Sequence, residues 1–214
     1  MSKTLIGLDL SNHNRNMQDL HDVNAFDFII LKATEGKSYR DRCMPVWLAH
    51  INDDKLRGFY HFCRADLGNS PKEEADNFLR WIEYGIDGKS LLALDVEGAA
   101  LRVKNIDSWC YEWAKYVYSK TGIRPLIYTS ESYTHLFKKT ADFGCGLWCA
   151  KWSKNPPKKI KPFPFVAIWQ YTSSQILSGV RVDVNRFNGS REQYIKYCED
   201  LRDEKRSDSN DSRD

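Results

Sequence analysis

Short apolar segments alternate with longer amphipathic segments along most of the chain, and no other feature of the sequence limits the possible folds as strongly. Eight segments have the length and the apolar content of strands, and polar or turn-forming residues bound each of them. These segments are residues 5–11, 26–34, 56–62, 90–97, 124–129, 147–151, 165–172 and 182–187. Strands that alternate with helices are typical of α/β folds with a parallel sheet.

Helices are predicted between several of these strands. A capping box opens at Ser70, with Pro71 at the first helical position, and a second capping box opens at Ser190. The four predicted helices are residues 44–55, 70–84, 107–122 and 190–201. Asp107 is expected to cap the third of them, because its side chain can accept hydrogen bonds from the first backbone amides of a helix.

The last third of the chain departs from this alternation. Four prolines between residues 156 and 164 prevent a helix between the sixth and seventh strands, and only a short polar stretch separates the seventh strand from the eighth. We therefore predict one α/β domain over residues 1–201, an eight-stranded barrel with an incomplete outer ring of helices. Residues 202–214 contain nine charged side chains and no apolar one, so we expect a disordered tail.

Composition and charge exclude several classes of protein. Of the 214 residues, 42% are hydrophobic and 13% are aromatic, so most of the chain is not disordered. The net charge of +3 includes no concentrated basic region, and we expect no nucleic-acid partner. Every apolar run is far shorter than the ~20 residues of a membrane-spanning helix. The first residues lack the apolar region of a signal peptide, which predicts synthesis in the cytoplasm.

Neither the cysteines nor the histidines have the spacing of a metal site or of a disulfide scaffold. The six cysteines match no such framework, and the spacing of Cys145 and Cys149 is not that of a zinc ribbon. The five histidines are scattered along the chain. We therefore expect buried free thiols, no metal ion and no cofactor.

Acidic residues lie inside or at the end of three apolar strands. Asp9 lies late in the first strand, Asp95 and Glu97 end the fourth, and Asp183 lies in the last. Because side chains alternate along a strand, Asp95 and Glu97 share a face about 6.6 Å apart, at ~3.3 Å per residue. In a barrel the four acids would meet at the mouth, where barrel enzymes place their chemistry. Clustering raises the pKa of one carboxyl group, which then suits it to act as the acid in glycoside hydrolysis.

A structural role is the alternative for any one of these acids, through a turn cap or a buried hydrogen bond. Four acids at equivalent positions favour a site, because a buried carboxylate is costly unless it is paired or used. Aromatic rings near the strand ends favour a sugar substrate, although about half of them are expected to fill the core. These residues are Tyr60, His61, Phe62, Tyr128, Trp148, Trp152, Trp169 and Tyr171.

Eight short motifs follow one another between residues 5 and 188. They are GLDLS at residues 7–11, KATEG at 32–36, GFYHF at 58–62, LDVE at 94–97, PLIYT at 125–129, LWCA at 147–150, WQYT at 169–172 and VDVN at 182–185. In this order they resemble the motifs of the glycoside hydrolase family 25 lysozymes, the Chalaropsis-type muramidases that are common among phage endolysins. Any one motif is weak evidence, whereas eight in order are specific.

This resemblance implies an irregular TIM-like (β/α)5β3 barrel and hydrolysis of the β-1,4 bond between N-acetylmuramic acid and N-acetylglucosamine in peptidoglycan. It implies that Glu97 protonates the leaving oxygen. Asp9, Asp95 and Asp183 would be the supporting acids, whose charge raises the pKa of Glu97 and stabilises the transition state. The family is described as retaining. The D-x-E pattern favours attack by the 2-acetamido group of the substrate, oriented by Asp95, over attack by an enzyme carboxylate.

Six further residues are weaker candidates for binding the substrate. They are Lys32, Glu35, Tyr60, Tyr128, Trp148 and Trp169. The alternative interpretation is a salt bridge between Lys32 and Glu35 and core packing of the rings. The first loop reads NHNRN at residues 12–16, where the family often has a glutamine-glycine pair, so contacts made there are expected to differ.

We expect a monomer that acts on the glycan strands of peptidoglycan after its release through a holin-like exit or by lysis. The loop at residues 151–164, rich in lysine and proline, either attracts anionic walls or is only a solvated connection. Three other functions stay open: a barrel that binds glycan without cutting it, a structural barrel, and a chitinase-like activity on N-acetylglucosamine polymers. The presence of all four acids argues against a barrel that only binds.

Overall fold

A computed structural model describes residues 4–83, 85–87 and 90–199. Within these ranges, eight strands close into one barrel, and a short additional strand extends the sheet beside the second. The strands are β1 (Leu5–Leu10), β2 (Phe28–Glu35), β3 (Tyr39–Arg40), β4 (Leu56–Phe62), β5 (Ser90–Asp95), β6 (Leu126–Ser130), β7 (Leu147–Ala150), β8 (Ile168–Leu177) and β9 (Val180–Phe187). The helices are α1 (Met44–Leu48), α2 (Pro71–Ile82), α3 (Ile106–Thr121), α4 (Lys138–Asp142) and α5 (Arg191–Lys196).

The order of the strands around the barrel follows the chain. Strands β1, β2 and β4 to β8 run parallel, and β9 closes the barrel by pairing antiparallel with both β8 and β1. Between β7 and β8, all of whose connecting residues are described, no helix occurs, as the prolines predict. The predicted α/β barrel with an incomplete outer ring is confirmed.

Each barrel strand separates two apolar clusters. On β5, Leu92 and Leu94 point outward into the cluster that packs under the helices, while Leu91 and Ala93 point into the barrel. Complete burial of a leucine side chain contributes about 1.5–3 kcal/mol to the free energy of unfolding, so both faces stabilise the strand. Asp95 occupies the next inward position after Ala93.

Aromatic rings fill the end of the barrel at which the parallel strands begin. The Phe28 ring occupies the space beside Gly7, where a Cβ atom would lie only 2.4 Å from it. Tyr194 of α5 packs against this ring with 5.3 Å between the centroids and donates a hydrogen bond to the Arg57 carbonyl oxygen at 2.9 Å. This end is therefore closed by apolar contacts, and the polar groups gather at the opposite end.

The last two strands are longer than predicted. The sequence predicts a polar loop at residues 173–181, but β8 and β9 continue through it as a hairpin. Ser178 (φ 43°) and Gly179 (φ 81°) form its two-residue turn, since paired left-handed residues match the twist of the strands. The Ser178 carbonyl oxygen accepts a hydrogen bond from the Gln18 amide at 2.9 Å. Backbone pairing continues both strands through this mostly polar segment, where Leu177 and Val180 pack against the core. The apolar stretch is too short there to reveal a strand.

Helix α1 ends at Leu48 instead of continuing to residue 55. The Asn24 side chain forms hydrogen bonds with backbone groups of the following turn. It donates to the His50 carbonyl oxygen and accepts from the Asn52 amide, each at 2.8 Å. Helices α2 and α5 begin with the predicted capping boxes. Residue 84, the predicted end of α2, residues 200–201 of the predicted last helix and the predicted tail at 202–214 lie outside the described residues.

All six cysteines are free, and all except Cys43 are buried. They therefore act as small apolar side chains, as the sequence predicts. No helix within the described residues is long and apolar enough to cross a membrane.

The prediction that Asp107 caps α3 is wrong. Asn105, in the left-handed conformation (φ 62°), precedes α3, and Asp107 lies in its first turn. The Asp107 carboxylate instead accepts hydrogen bonds from the backbone amides of Lys139 at 2.6 Å and Thr140 at 3.0 Å, at the start of α4. It caps a neighbouring helix because the start of α4 packs beside the start of α3.

Replacing Asp107 with alanine is expected to lower the free energy of unfolding by about 1–2 kcal/mol, because two amide groups of α4 lose their acceptor. Urea unfolding followed by circular dichroism measures this change. The control is Asp142→Ala on α4, the helix that Asp107 caps. This substitution removes only an exposed salt bridge with Lys138. This control should cost at most about 0.5 kcal/mol, and equal losses in the two variants would contradict the capping role.

Candidate active site

The four predicted acids lie together in one cavity at the carboxyl ends of the parallel strands. Asp9 belongs to β1, Asp95 to β5 and Asp183 to β9, and Glu97 follows β5 by two residues. The cavity has a volume of about 380 Å³. Its other lining residues are Ser11, His13, Asn14, Lys32, Tyr60, Phe62, Tyr128, Trp148, Trp152, Gln170, Ser173 and Arg181. The barrel thus brings together acids from both ends of the chain.

The register of the strands explains why these groups meet. Residues paired across neighbouring strands lie at the same level of the barrel, so a polar residue on one strand adjoins the polar or aromatic residue of the next. The pairs are Lys32 with Tyr60, Phe62 with Asp95, Asp95 with Tyr128, Tyr128 with Trp148, Gln170 with Asn185, and Asp183 with Asp9. The register therefore places these polar and aromatic side chains at neighbouring positions on adjacent strands.

Asp9 lies at the centre of a hydrogen-bond network. Its Oδ2 accepts from Asn185 Nδ2 at 2.7 Å and from Gln170 Nε2 at 3.0 Å. Asp183, directly opposite on β9, shares a hydrogen bond with the Asp9 carboxyl group. Only 8% of Asp9 is exposed, so these donors offset the cost of burying its charge.

Asp9 and Asp183 share a proton. Burial, the charge of Asp9 and the hydrogen bond to it raise the pKa of Asp183 to about 8. Burial also raises the pKa of Asp9, while the hydrogen bonds from Asn185, Gln170 and Asp183 oppose that rise. A proton bound by the pair is therefore favoured on Asp183, which donates it to Asp9, and the two acids titrate together.

Asp95 is buried at the base of the cavity with one carboxyl oxygen unpaired. Only 7% of the residue is exposed, and its Oδ1 has no hydrogen-bond partner within the part of the chain that the structure describes. Burial and the charge of Glu97 raise the pKa of Asp95 well above its ordinary value, while Lys32 opposes this. A buried oxygen without a donor costs about 1–3 kcal/mol, so Asp95 lowers the stability of the free protein. Its carboxyl group lines the cavity and can accept a hydrogen bond from a bound molecule.

Glu97 is the exposed acid at the mouth of the cavity. Gly98, with φ 59°, follows it and turns the chain away from the barrel. Partial burial and the charge of Asp9 raise the pKa of Glu97, while Lys32 lowers it. A carboxyl group with a raised pKa that faces a cavity is suited to donate a proton.

Lys32 is the buried cation of the cavity, with 8% of the residue exposed. Its Nζ lies 2.7 Å from Glu35 Oε2 and 4.5 Å from the centroid of the Phe62 ring. Glu35 in turn accepts a hydrogen bond from Arg64 Nη1 at 2.9 Å. The salt bridge considered as the alternative role of Lys32 and Glu35 is therefore present. Lys32 lines the cavity, whereas Glu35 lies behind it and fixes the ammonium group.

Three of the predicted rings form one wall of the cavity. The Tyr128 and Trp148 centroids lie 4.8 Å apart, and those of Tyr60 and Trp148 lie 6.1 Å apart, both in edge-to-face geometry. Trp148 Nε1 donates to Asn185 Oδ1 at 2.8 Å, and the Tyr128 hydroxyl donates to Gln170 Oε1 at 3.0 Å. All three rings are largely buried, so they pack the barrel interior and line the site at once.

The structure does not bring Trp169 into this cavity. Neighbouring side chains of a strand point to opposite faces, so Trp169 points outward where Gln170 points inward. The indole of Trp169 donates to the Lys151 carbonyl oxygen at 2.8 Å, and the Arg186 guanidinium lies 5.8 Å from its ring centroid. The expectation that Trp169 contacts substrate is therefore corrected to a structural position outside the barrel.

Gln170 and Asn185 hold Asp9 but are not among the predicted site residues. Both are amide side chains at inward positions of apolar strands, so the burial argument that selects the acids also applies to them. Trp152, which is 66% exposed, donates from Nε1 to Gln170 Oε1 at 3.0 Å and forms the rim. It lies in the proline-rich loop, where no strand periodicity marks its direction.

The first loop is held firmly although it lacks the glutamine-glycine pair. It forms a short 3-10 helix capped by Ser11. Asn14 Nδ2 donates to the Arg181 carbonyl oxygen at 2.8 Å, and the buried Asp41 accepts from the Asn12 amide at 2.8 Å. The loop therefore lies along the cavity and contributes polar groups to its edge.

Amide donors hold Asp9, and the Lys32 ammonium group acts on Asp95 and Glu97 through its charge. Within the described residues, no group of three or more histidine, cysteine, aspartate or glutamate side chains is placed to hold a metal ion. The arrangement provides proton transfer and negative charge from side chains of the protein itself.

Comparison with known proteins identifies the family. Residues 8–180 match the model of the glycosyl hydrolases family 25. The chain belongs to this family. It is 26% identical over 208 residues to the N,O-diacetylmuramidase of Arthroderma benhamiae, an alignment that covers 90% of this chain and 86% of the relative. It is 29% identical over 178 residues to lysozyme M1 of Streptomyces globisporus, covering 76% of this chain and 60% of that longer protein.

The barrel of this family 25 hydrolase is similar to a solved structure. The bacterial lysozyme from Streptomyces coelicolor superimposes with a TM-score of 0.78 and 25% sequence identity, over 94% of this chain and 100% of that one. The irregular (β/α)5β3 barrel implied by the sequence motifs is thereby confirmed, and the chain is a glycoside hydrolase.

Replacing Lys32 with methionine is expected to move both limbs of the pH–rate profile for glycoside hydrolysis to higher pH. The Lys32 ammonium lowers the pKa of Asp95 and of Glu97, so both acids hold their protons to higher pH without it. Initial rates measured between about pH 4 and pH 9 test this expectation.

Lys37→Met is the matched control for the Lys32 variant. Lys37 is an exposed lysine in the turn after β2 and does not line the cavity. Its replacement should leave the profile unchanged. A profile of the Lys32 variant that stays in place or moves to lower pH would contradict the electrostatic role.

Proposed function

We propose that this family 25 hydrolase cleaves the β-1,4 bond between N-acetylmuramic acid and N-acetylglucosamine in peptidoglycan. The observation that carries the proposal is the cavity, in which Glu97 with its raised pKa faces a space lined by three more carboxyl groups and by aromatic rings. Carboxyl groups in such an arrangement break glycosidic bonds. The names of the relatives, lysozyme and N,O-diacetylmuramidase, support the wall glycan as substrate.

Glu97 is the proton donor in this proposal. It lies at the mouth, where the oxygen between two bound sugars can approach it, and its raised pKa keeps the proton bound to higher pH than in an ordinary glutamate. Transfer of this proton to the glycosidic oxygen lets the bond between C1 and that oxygen break without release of an alkoxide. The resulting Glu97 carboxylate then takes a proton from the water that completes hydrolysis.

Asp95 positions the 2-acetamido group of the sugar. Its carboxyl group, which lines the cavity, accepts the acetamido N–H, and the acetamido carbonyl oxygen attacks C1 as the glycosidic bond breaks. The product is a cyclic oxazolinium, which water opens at C1, so two inversions retain the configuration. The ionised form of Asp95, which Lys32 favours, stabilises the positive charge of this intermediate.

Asp9 and Asp183 set the charge of the cavity. Their shared proton leaves one negative charge, which stabilises positive charge on the sugar and raises the pKa of Glu97. Gln170 and Asn185 hold this charge in place through their hydrogen bonds to Asp9. The network is thus in position before substrate binds, which is the condition for electrostatic catalysis.

The monomeric state stays a prediction. Action on the cell wall after release from the producing cell stays a prediction.

Replacing Glu97 with glutamine is expected to lower the rate of peptidoglycan hydrolysis by about 10²–10⁴-fold or more, because an amide cannot donate the proton. The measurement is the release of reducing ends from purified walls, with mass spectrometry of the fragments. Fragments ending in N-acetylmuramic acid identify a muramidase. Release of new amino groups alone would instead identify a peptidase.

Glu112→Gln is the matched control, since it makes the same change at an exposed position on α3. It should hydrolyse walls at the wild-type rate, and both variants should keep the wild-type unfolding transition. Near-wild-type turnover of the Glu97 variant would reject the assignment. Binding of walls without cleavage by the wild-type protein would favour a glycan-binding barrel, and preferential cleavage of chitin would favour a chitinase.

Participation of the acetamido group predicts the stereochemistry and an inhibitor. Proton NMR during turnover should show the β-anomer as the first product, because the configuration is retained. A muramyl thiazoline, a stable analogue of the oxazolinium, should inhibit competitively. It should bind at least tenfold more weakly to the Asp95→Ala variant, which lacks the carboxyl group that hydrogen-bonds to its ring nitrogen. The α-anomer as first product would reject retention, and a covalent sugar adduct on the enzyme would assign the attack to a carboxylate.

A further inference from the structure

A second charged groove lies beside the catalytic cavity. The lysine groove is lined by Lys151, Lys158, Lys159, Lys161, His135, Glu131, Ser132 and Thr134. Its volume of about 760 Å³ is twice that of the cavity that holds the four acids. All four lysines belong to the loop at residues 151–164, which the sequence leaves open between attraction to anionic walls and a solvated connection.

Glu131 is the one carboxylate that lines this groove within the part of the chain that the structure describes, and its charge is already offset. It accepts hydrogen bonds from the backbone amides of Lys158 at 2.5 Å and Lys159 at 3.0 Å, and Lys151 Nζ lies 3.0 Å from its Oε2. Although burial raises it, these donors bring the pKa of Glu131 down to about 2. Glu131 therefore stays ionised and bound, and it does not neutralise the other lysines.

Three ammonium groups of the groove are available to a ligand. Lys158, Lys159 and Lys161 are exposed, and none of them forms an ion pair with a carboxylate of the described residues. Four lysines and one glutamate give the groove a net charge of +3. Such a concentration of one sign on a concave surface attracts anions and orients them before contact.

The loop is anchored without using the ammonium groups of Lys158, Lys159 and Lys161. The Thr134 hydroxyl donates to the Lys159 carbonyl oxygen at 2.9 Å, and Lys151 Nζ contacts the Pro156 carbonyl oxygen at 3.3 Å. Together with the two amide bonds to Glu131, these contacts fix the backbone. A loop that served only as a solvated connection would need no such anchors, so the arrangement favours a binding surface.

The lysine groove continues into the catalytic cavity. An intermediate groove of about 440 Å³ shares Glu131, Ser132 and Lys151 with the lysine groove, and Glu97, Tyr128 and Trp152 with the cavity. A glycan held at Glu97 can therefore extend along one uninterrupted track to the lysines. A ligand of the lysine groove can be attached to the same glycan that the cavity cuts.

We propose that the lysine groove binds an anionic phosphodiester polymer attached to the wall glycan, an inference that rests on the proposed function. Several spaced positive charges with no unpaired carboxylate beside them match a chain of repeating negative charges. Lysine ammonium groups bind phosphate as point charges, whereas a peptide carboxylate is bound best by the planar fork of arginine. Among the described residues, no arginine lines this groove. The groove therefore favours a phosphodiester chain over the stem peptide.

Binding of purified poly(glycerol phosphate) tests the groove without dependence on catalysis. The variant K158Q/K159Q/K161Q removes three exposed charges and leaves the backbone anchors intact. In isothermal titration calorimetry at low salt, the wild-type protein should bind this polymer, and the variant should bind at least tenfold more weakly. Binding by the wild type should weaken as salt is added, because salt screens exposed charges.

The variant K104Q/K115Q/K196Q is the matched control, since it removes the same charge from exposed lysines outside the groove. It should bind the polymer as the wild type does. An equal loss in both triple variants would assign the binding to net charge and overturn the proposal. Absence of polymer binding by the wild-type protein would overturn it as well.

Hydrolysis of two wall preparations links the groove to the cavity. On walls stripped of phosphodiester polymer with hydrofluoric acid, the groove variant should match the wild type. On untreated walls its KM should rise at least fivefold with kcat unchanged. A slower rate on stripped walls would assign the lysines to the glycan or its peptides and overturn the proposal. If the wild type cleaves neither preparation, the proposed function fails, while calorimetry still decides whether the groove binds the polymer.

Discussion

The hydrogen bonds around Asp9 are the constraint on which the site depends. Strand β9 closes the barrel by pairing with β1, and the same pairing sets Asp183 opposite Asp9. Two carboxyl groups in contact cannot both stay ionised in a buried place, so they share one proton, and Asn185 and Gln170 satisfy the charge that is left. Without these donors a buried carboxylate would cost several kcal/mol. Closure of the barrel and the electrostatics of the cavity are therefore consequences of one set of contacts.

The two ends of the barrel differ in what they contribute. At one end Phe28 and Tyr194 fill the interior with rings, and this burial of apolar area stabilises the closed sheet. At the other end Asp95 keeps a buried oxygen without a partner, and Lys32 is held by Glu35 beside the acids. An unsatisfied carboxyl group lowers stability, so the apolar end offsets what the catalytic end costs. Such a division lets the site be arranged for the transition state rather than for the free protein.

Alternation of side chains along strands makes the barrel and its four acids predictable from sequence. The same rule assigns Gln170 to the inside and Trp169 to the outside. The sequence nevertheless favours Trp169 and not Gln170 for the site, because aromatic rings commonly bind sugars. Contacts between distant elements are what the sequence cannot reveal. Asp107 has the sequence position of a cap for α3, but it caps α4 because the two helices pack together. Likewise, Ser178 lies in the turn of a hairpin whose mostly polar segment is held by the pairing of β8 with β9.

The catalytic cavity is lined by carboxyl groups and the lysine groove by ammonium groups, and the substrate supplies a physical reason. The cavity must be negative where positive charge develops on the sugar, which would repel a glycan that itself carries anionic chains. A separate positive groove on the same track binds those chains away from the acids. Glu131 and Lys151 line the intermediate groove between the two regions. Because their charges form an ion pair, this pair adds little net charge to either region. A barrel of this size can thus hold a polyanionic substrate at one place and stabilise a cationic transition state at another.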